Sequence, residues 1–269
     1  MAIIMTEHKV TMSRREIIRG LAAGSVFAYV GGCTYNEELG RSQLLLVSSG
    51  QMAQLAASAW TDLKRQEKLS TDRRYRDRVN RVMPRIIAAG GDNPANWEYE
   101  VFESDQLNAF ALPGGRVGFY TGILDIMEND SQIATVGGHE YVHVRANHSG
   151  ERYSQALTSQ AGLAAAQVAV ASSDSSYGPQ LLAALGLGVQ LGVLLPFSRR
   201  HELEADRLGL RYMYRAGYDP NEAVRFWQNM EARSQGGRPP EFLSTHPGPE
   251  RRIAQLQREI ALLPPRPRS

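Results

Sequence analysis

Two short motifs far apart in the chain restrict its fold more than any other feature. His139-Glu140-Tyr141-Val142-His143 is an H-E-x-x-H run; on a helix its two imidazoles leave one face a turn apart and can hold a single ion. Glu202-Leu203-Glu204-Ala205-Asp206 sets Glu202 and Asp206 one turn apart on another predicted helix. If both motifs serve one cation, two helices distant in sequence must pack side by side in the interior.

The residue types fit one kind of chemistry. Two neutral imidazoles and one carboxylate on a dipositive zinc leave a net charge near +1 and an open fourth position for water, whose pKa falls into a useful range. Glu140 lies beside the ligands without being one, which is the place of a general base. Asp206 is placed to accept the spare ring N–H of His139 and so fix its tautomer. Glu204 is the rival ligand to Glu202, but helical spacing turns it away from the face of Asp206. His246 and Arg252 stand where the last helix begins; either is a candidate donor to a developing oxyanion, and His246 is also a candidate occupant of the open metal position at rest. His8, His148 and His201 have no comparable support.

The surrounding pattern is α+β and predominantly helical. Helices are expected over Gln51 to Glu67 and Thr71 to Ala89, the second stopping at Gly90-Gly91. Trp97, Tyr99 and Val101 alternate with acids, and Leu107 to Leu112 and Arg116 to Tyr120 flank Pro113-Gly114-Gly115, so a small sheet containing a hairpin should precede the metal helix. Ser131 or Asp130 is the expected cap of that helix, which runs through Ile133, Val136, Glu140 and Val144. Further helices are expected over about Tyr153 to Ala171 and Gln180 to Arg215. Asp219-Pro220-Asn221-Glu222 reads as an N-cap, a first-turn proline and a capping-box glutamate. A last helix carries Ile253, Leu256, Ile260 and Leu263. The edge Asn108-Ala109-Phe110-Ala111-Leu112-Pro113-Gly114-Gly115 has little side-chain bulk, which suits either an ordinary hairpin or backbone pairing with an extended peptide.

The N-terminus has the layout of an address. Arg14, Arg15 and Arg19 precede a weakly apolar stretch from Leu21 to Val30, and Gly31-Gly32 stand directly before Cys33, the single cysteine. Val30-Gly31-Gly32-Cys33 resembles a lipobox, and Ser13-Arg14-Arg15 a twin-arginine signal. Residues 1–32 are therefore expected to be a lipoprotein export signal, and 33–269 one domain anchored to a membrane through lipidated Cys33. One cysteine excludes an intrachain disulfide and a thiolate-rich zinc site. With 42% hydrophobic and 22% charged residues and a net charge of +2 spread along the chain, no nucleic-acid footprint is visible. Leu181 to Phe197 is apolar but shorter than the roughly 20 residues of a span and is broken by Pro196, so a buried helix is expected there.

Taken together, these stretches resemble the zinc metallopeptidase family that includes HtpX, the CAAX prenyl proteases, the mitochondrial Oma-type proteases and periplasmic members of the LoiP and BepA type. Asn108 to Gly115 resembles the N-A-F-A-x-P-G-G edge, Ser198 to Asp206 the S-R-x-x-E-x-E-A-D motif, and Thr245 to Ile253 the T-H-P-x-x-x-x-R-I segment. The resemblance implies a gluzincin domain with one zinc per chain. Its ligands would be His139, His143 and Glu202, with Glu140 as base, Asp206 behind the ligands, His246 and Arg252 as accessory groups, and Asn108, Ala109, Phe110, Gly114 and Gly115 along the substrate. Tyr141 stands where a smaller aliphatic residue is usual, and Asn147-His148 where an arginine-histidine pair is common. Similarity to the compact members without a tetratricopeptide module implies an endopeptidase on the periplasmic side of the envelope, at the outer membrane, with misfolded or stalled envelope proteins as substrates. The alternative is an envelope chaperone or assembly factor that keeps the metal site and cuts little.

Overall fold

The computed structural model describes residues 33–171, 197–234, 240–246 and 252–265. The export signal expected over 1–32 lies outside them, as do 181–196 of the apolar stretch and 247–251 before the last helix. No helix among the described residues is long and apolar enough to cross a membrane.

An antiparallel hairpin, β1 (Cys33–Asn36) and β2 (Arg41–Leu44), comes first. Helix α1 (Ser49–Gln66) begins with a reciprocal cap between Ser48 and Gln51. Helix α2 (Arg73–Ala89), capped by Asp72, buries Val79, Val82, Met83, Ile86 and Ile87, the stripe that a 3.6-residue period produces. A mixed sheet follows, with β5 (Arg116–Tyr120) between β3 (Glu98–Phe102) and β4 (Ala109–Leu112). β4 and β5 form the expected hairpin, closed through Gly114 and Gly115 at φ +84° and +79°, values that a side chain would strain. β3 runs parallel to β5.

The outer edge of β3 is covered: Ser70 N–H donates to Val101 O and Glu103 N–H to Lys68 O. Tyr120 N–H donates to Asn108 O, which sets the ladder phase so that Ala109 and Ala111 turn their backbone groups to the outer side of β4. That edge faces α4 (Asp130–Arg145), reached through the short α3 (Thr121–Asp125).

Every residue of α4 from Gln132 to His143 is buried. The helix is the axis of the domain, touching β4, β5, α2, α5 (His148–Ala171), α6 (Arg199–Arg215) and α7 (Asn221–Ser234). Its closest neighbour is α6. A Cβ on Gly209 would lie 2.9 Å from Gly138 C and His139 N, and one on Gly138 would lie 3.0 Å from Gly209 O. The two helices thus meet backbone to backbone, a separation that only glycine permits. Short α8 (Glu241–Thr245) and α9 (Arg252–Ala261) close the far side.

Two caps differ from expectation. Asn129, in extended backbone, caps α4, its side chain accepting the Gln132 N–H. Asp130 pairs with Arg81 and Ser131 Oγ accepts from Asp219 N–H, so both expected caps are committed elsewhere. Glu222 forms no capping box: its Oε2 takes bonds from Asn129 Nδ2 and Gln132 Nε2, both 2.9 Å, tying α7 to the start of α4.

Gly209→Ala should test the helix crossing. An alanine gains about 1 kcal/mol of helix propensity, but overpacking against backbone costs about 1–3 kcal/mol, so thermal unfolding should come at lower temperature. Gly50→Ala, in exposed α1 with only Ser48 Oγ at 3.9 Å, should instead be neutral or stabilising. Equal behaviour of the two variants would contradict the contact.

Candidate metal centre

His139 and His143 leave the face of α4 that looks at α6, and Glu202 stands in the first turn of α6, whose start is capped by Ser198 accepting the His201 N–H. The Gly138–Gly209 contact sets the distance between the two helices. His139 Nε2 and His143 Nε2 lie 3.1 Å apart, and Glu202 approaches them at 3.3 and 3.4 Å. His246 closes the group, its Nδ1 3.2 Å from both His139 Nε2 and Glu202 Oε1. All four residues are buried, with donor atoms mutually within 4.8 Å.

Donors about 2.0–2.1 Å from a tetrahedral ion lie about 3.3 Å from one another. Spacings of 3.1–3.4 Å among five of the nitrogen and oxygen donor pairs, within a group whose donors all lie within 4.8 Å of one another, are in the range a tetrahedral zinc would take. Burial lowers the His139 pKa, but Glu202 and Asp206 outweigh it and push the ring up to about 10. Their attraction for a proton is the attraction a dication would satisfy. Burial also works against the Glu202 carboxylate, yet the His139 charge and bonds from the surrounding imidazoles hold it well below the usual range. His143 is driven well below its ordinary value by burial, only partly offset by Glu202, so its ring is neutral.

Asp206 Oδ1 accepts from His139 Nδ1 at 2.9 Å. Arg252 donates Nε to Asp206 Oδ2 at 2.6 Å and Nη2 to Glu202 Oε2 at 2.7 Å, its guanidinium 3.8 Å from the centre of the Trp227 ring. These two nitrogens are thereby committed to holding acids rather than to an oxyanion. Glu140 Oε1 is buried with no hydrogen-bond partner among the described residues, 3.4 Å from His246 Nε2. Burial lifts its pKa above the carboxylate norm, and His246 and His139 counter only part of this. The Ala111 backbone N–H, close to the same carboxylate, works weakly in the same lowering direction.

Of the expected substrate edge, the structure brings the backbone of β4 to the site. Asn108 Oδ1 is buried and has no partner among the described residues. The Phe110 ring packs against Trp60, Phe102 and Tyr120. Gly114 and Gly115 form the turn, Gly115 lying against Asn96 and Trp97. Tyr141 donates to Asp92 Oδ2 and packs on Trp97 and Tyr212.

Glu204 turns away from the metal group and is held by Arg41 Nε and Nη2 at 2.6 and 2.7 Å. Arg41 also forks onto Glu151 at 2.8 and 2.9 Å, where Gln43 and His201 join. Next to this cluster is His148, its Nδ1 3.0 Å from His143 Nδ1. Burial raises Glu204 but Arg41 and His148 bring it down to about 2; burial pushes His148 down to about 4 against the pull of Glu204. His148 and His201 are not among the expected site residues; their short spacing from His143 and Ser198 and the alternation of Arg41 and Gln43 on the buried face of β2 are the only sequence signals of this cluster.

A model of peptidase family M48 matches residues 69–260. The chain is 38% identical to the fission yeast (Schizosaccharomyces pombe) mitochondrial metalloendopeptidase OMA1 over 66% of its own length and 51% of that protein. It is 27% identical to the beta-barrel assembly-enhancing protease of Escherichia coli over 90% of its length and 50% of that protein. Against the mitochondrial metalloendopeptidase OMA1 of Bos taurus the identity is 35%, over 82% and 45%. The chain spans about half the length of the curated relatives it matches.

Removing the carboxylate behind His139 should weaken the metal without removing a ligand. Asp206→Ala is expected to bind zinc about 10–100-fold less tightly, measured by competition with a chromophoric chelator; unchanged affinity would mean that Asp206 does not orient the ring.

Proposed function

The chain belongs to peptidase family M48, and from that premise we propose that it is a zinc-dependent endopeptidase cutting unfolded or misfolded proteins of the bacterial envelope. The observation that carries the reading is the tetrahedral spacing of His139, His143 and Glu202 with the unpartnered Glu140 Oε1 beside it.

His139, His143 and Glu202 would hold the ion. A zinc ion there supplies a Lewis acid and lowers the pKa of its water toward neutrality. Glu140 Oε1 takes the proton of the attacking water and passes it to the departing amine, a task for which a burial-raised pKa suits it. The outer edge of β4 would orient the substrate: an extended peptide would add as a further strand against Ala109 and Ala111, next to the residues that would hold the ion. Because recognition falls mainly on backbone, the substrates are unfolded segments rather than one sequence.

Envelope quality control is supported by the relation to the protease named for beta-barrel assembly and by the lipobox-like run before Cys33, whose thiol is exposed. The outer membrane is the corresponding site, with Cys33 lipidated.

His246 adds a second element. Its ring, stacked on Phe242 and Phe197, stands within donor distance of His139 and Glu202 and beside Glu140. A fourth protein donor closes a zinc site that catalysis needs open, so this arrangement is the resting form, and substrate entry requires His246 to withdraw.

Two variants test these points. Glu140→Gln should retain about one equivalent of zinc by elemental analysis while casein cleavage drops about 10²–10⁴-fold; full activity would rule out Glu140 as the base, and chelator-insensitive cleavage by the wild type would rule out the metal. His246→Ala should raise cleavage of an unstructured peptide, by a factor set by the fraction of molecules that His246 blocks; unchanged activity would refute the resting form.

A further inference from the structure

The 3.0 Å approach of His148 Nδ1 to His143 Nδ1 is a contact between two imidazole nitrogens, and such a bond needs one N–H and one lone pair. The neighbours decide which ring gives the proton. His143 turns Nε2 toward His139 and Glu202, so Nε2 must keep its lone pair for a metal and the proton resides on Nδ1. His148 then accepts at Nδ1 and carries its own proton on Nε2, which faces Glu204 Oε2 at 3.3 Å, an electrostatic contact without hydrogen-bond geometry.

Glu204 is in turn fixed by the Arg41 fork, and the same guanidinium fixes Glu151, which receives Gln43 and His201. His148 and His201 stack at 4.5 Å and 17° between planes, so the His148 ring cannot swing without disturbing the cluster. Arg41 is the cation between the two carboxylates, so the cluster is no second metal site.

We infer that His148 is a positioning residue for the metal: by accepting the Nδ1–H of His143 it fixes that ligand's tautomer and ring plane, with Glu204 and Arg41 holding His148 in turn. The partner of a metal-bound histidine is commonly a carboxylate, a carbonyl or water; here His139 has a carboxylate, Asp206, whereas His143 has an imidazole. The inference rests on the metallopeptidase reading and assigns to Glu204 and to hairpin β1–β2 a part in metal retention.

A purely structural role for the cluster predicts a different response to substitution. Asparagine carries its acceptor at the δ position, close to that of Nδ1, whereas glutamine carries its amide near Nε2. His148→Asn should therefore keep zinc affinity near wild type, and His148→Gln, which preserves the contact with Glu204, should lose about 10–100-fold. Chelator competition on the full chain measures both, with thermal unfolding of the metal-free proteins alongside. Wild-type affinity in His148→Gln, or equal loss in both variants at equal stability, overturns the inference. Should a substitution prevent folding, the zinc-loaded wild type with ¹⁵N-labelled histidine decides: scalar coupling from the His143 Nδ1–H across to His148 Nδ1 is expected, and its absence overturns the assignment. A wild type that binds no zinc removes the peptidase reading itself, an outcome distinct from zinc bound without the coupling.

Discussion

Everything at the centre depends on how closely α4 and α6 approach. Gly138 directly precedes His139, and Gly209 lies two turns beyond Glu202, so the point where the helices touch backbone to backbone is also where the two ligand sets are brought into range. Any side chain at either position pushes the axes apart by a good part of an ångström, and metal donors tolerate only a few tenths. The apolar layers of α2, α7 and the sheet press α4 from its other sides. Their burial supplies the driving force, while the glycine pair supplies the distance.

Around that contact the charge is arranged so that each acid has a defined second partner. Glu202 and Asp206 share Arg252, which is sandwiched against Trp227. With a dication bound, one guanidinium and that ion would balance the two carboxylates and leave a single positive charge, enough to acidify water without drawing in an extra anion. The other cluster follows the same rule, with Arg41 between Glu151 and Glu204. Removing either arginine would strip two buried carboxylates of their guanidinium partner, a penalty of about 3–5 kcal/mol. Both arginines come from elements remote from α4, so the metal-bearing helices are held by the two ends of the described fold.

Much of this was legible in sequence where the signal is local. Helical phase put His139 and His143 on one face and separated Glu204 from Asp206, and Pro113-Gly114-Gly115 marked the hairpin, because these depend on residues a turn or less apart. Features that depend on distant partners were hidden. The parallel pairing of β3 with β5 has no periodicity of its own. Asn129 caps α4 in place of Ser131 or Asp130 because Asp219 N–H occupies Ser131 Oγ and Arg81 occupies Asp130. Glu222 has the spacing of a capping box and a tertiary partner that wins. His148 lies in no metal motif of its own, and only the turn into α5 sets it on His143.

The two histidine ligands consequently answer to different parts of the chain. His139 is braced by Asp206 and Arg252, groups on α6 and at the start of α9; His143 is braced by His148, Glu204 and Arg41, which leads into the hairpin that starts at Cys33. A carboxylate raises the donor strength of its imidazole more than a neutral ring does, so with a metal bound His139 would be the stronger ligand and His143 the one whose hold depends on packing. Hairpin β1–β2 is small and would be marginal alone, and it is kept in place largely by the ion pairs of Arg41 and the bonds of Gln43. Docking of the segment next to Cys33 is thus energetically coupled to the His143 side of the candidate metal site, and the coupling runs through side chains outside the group of four donors.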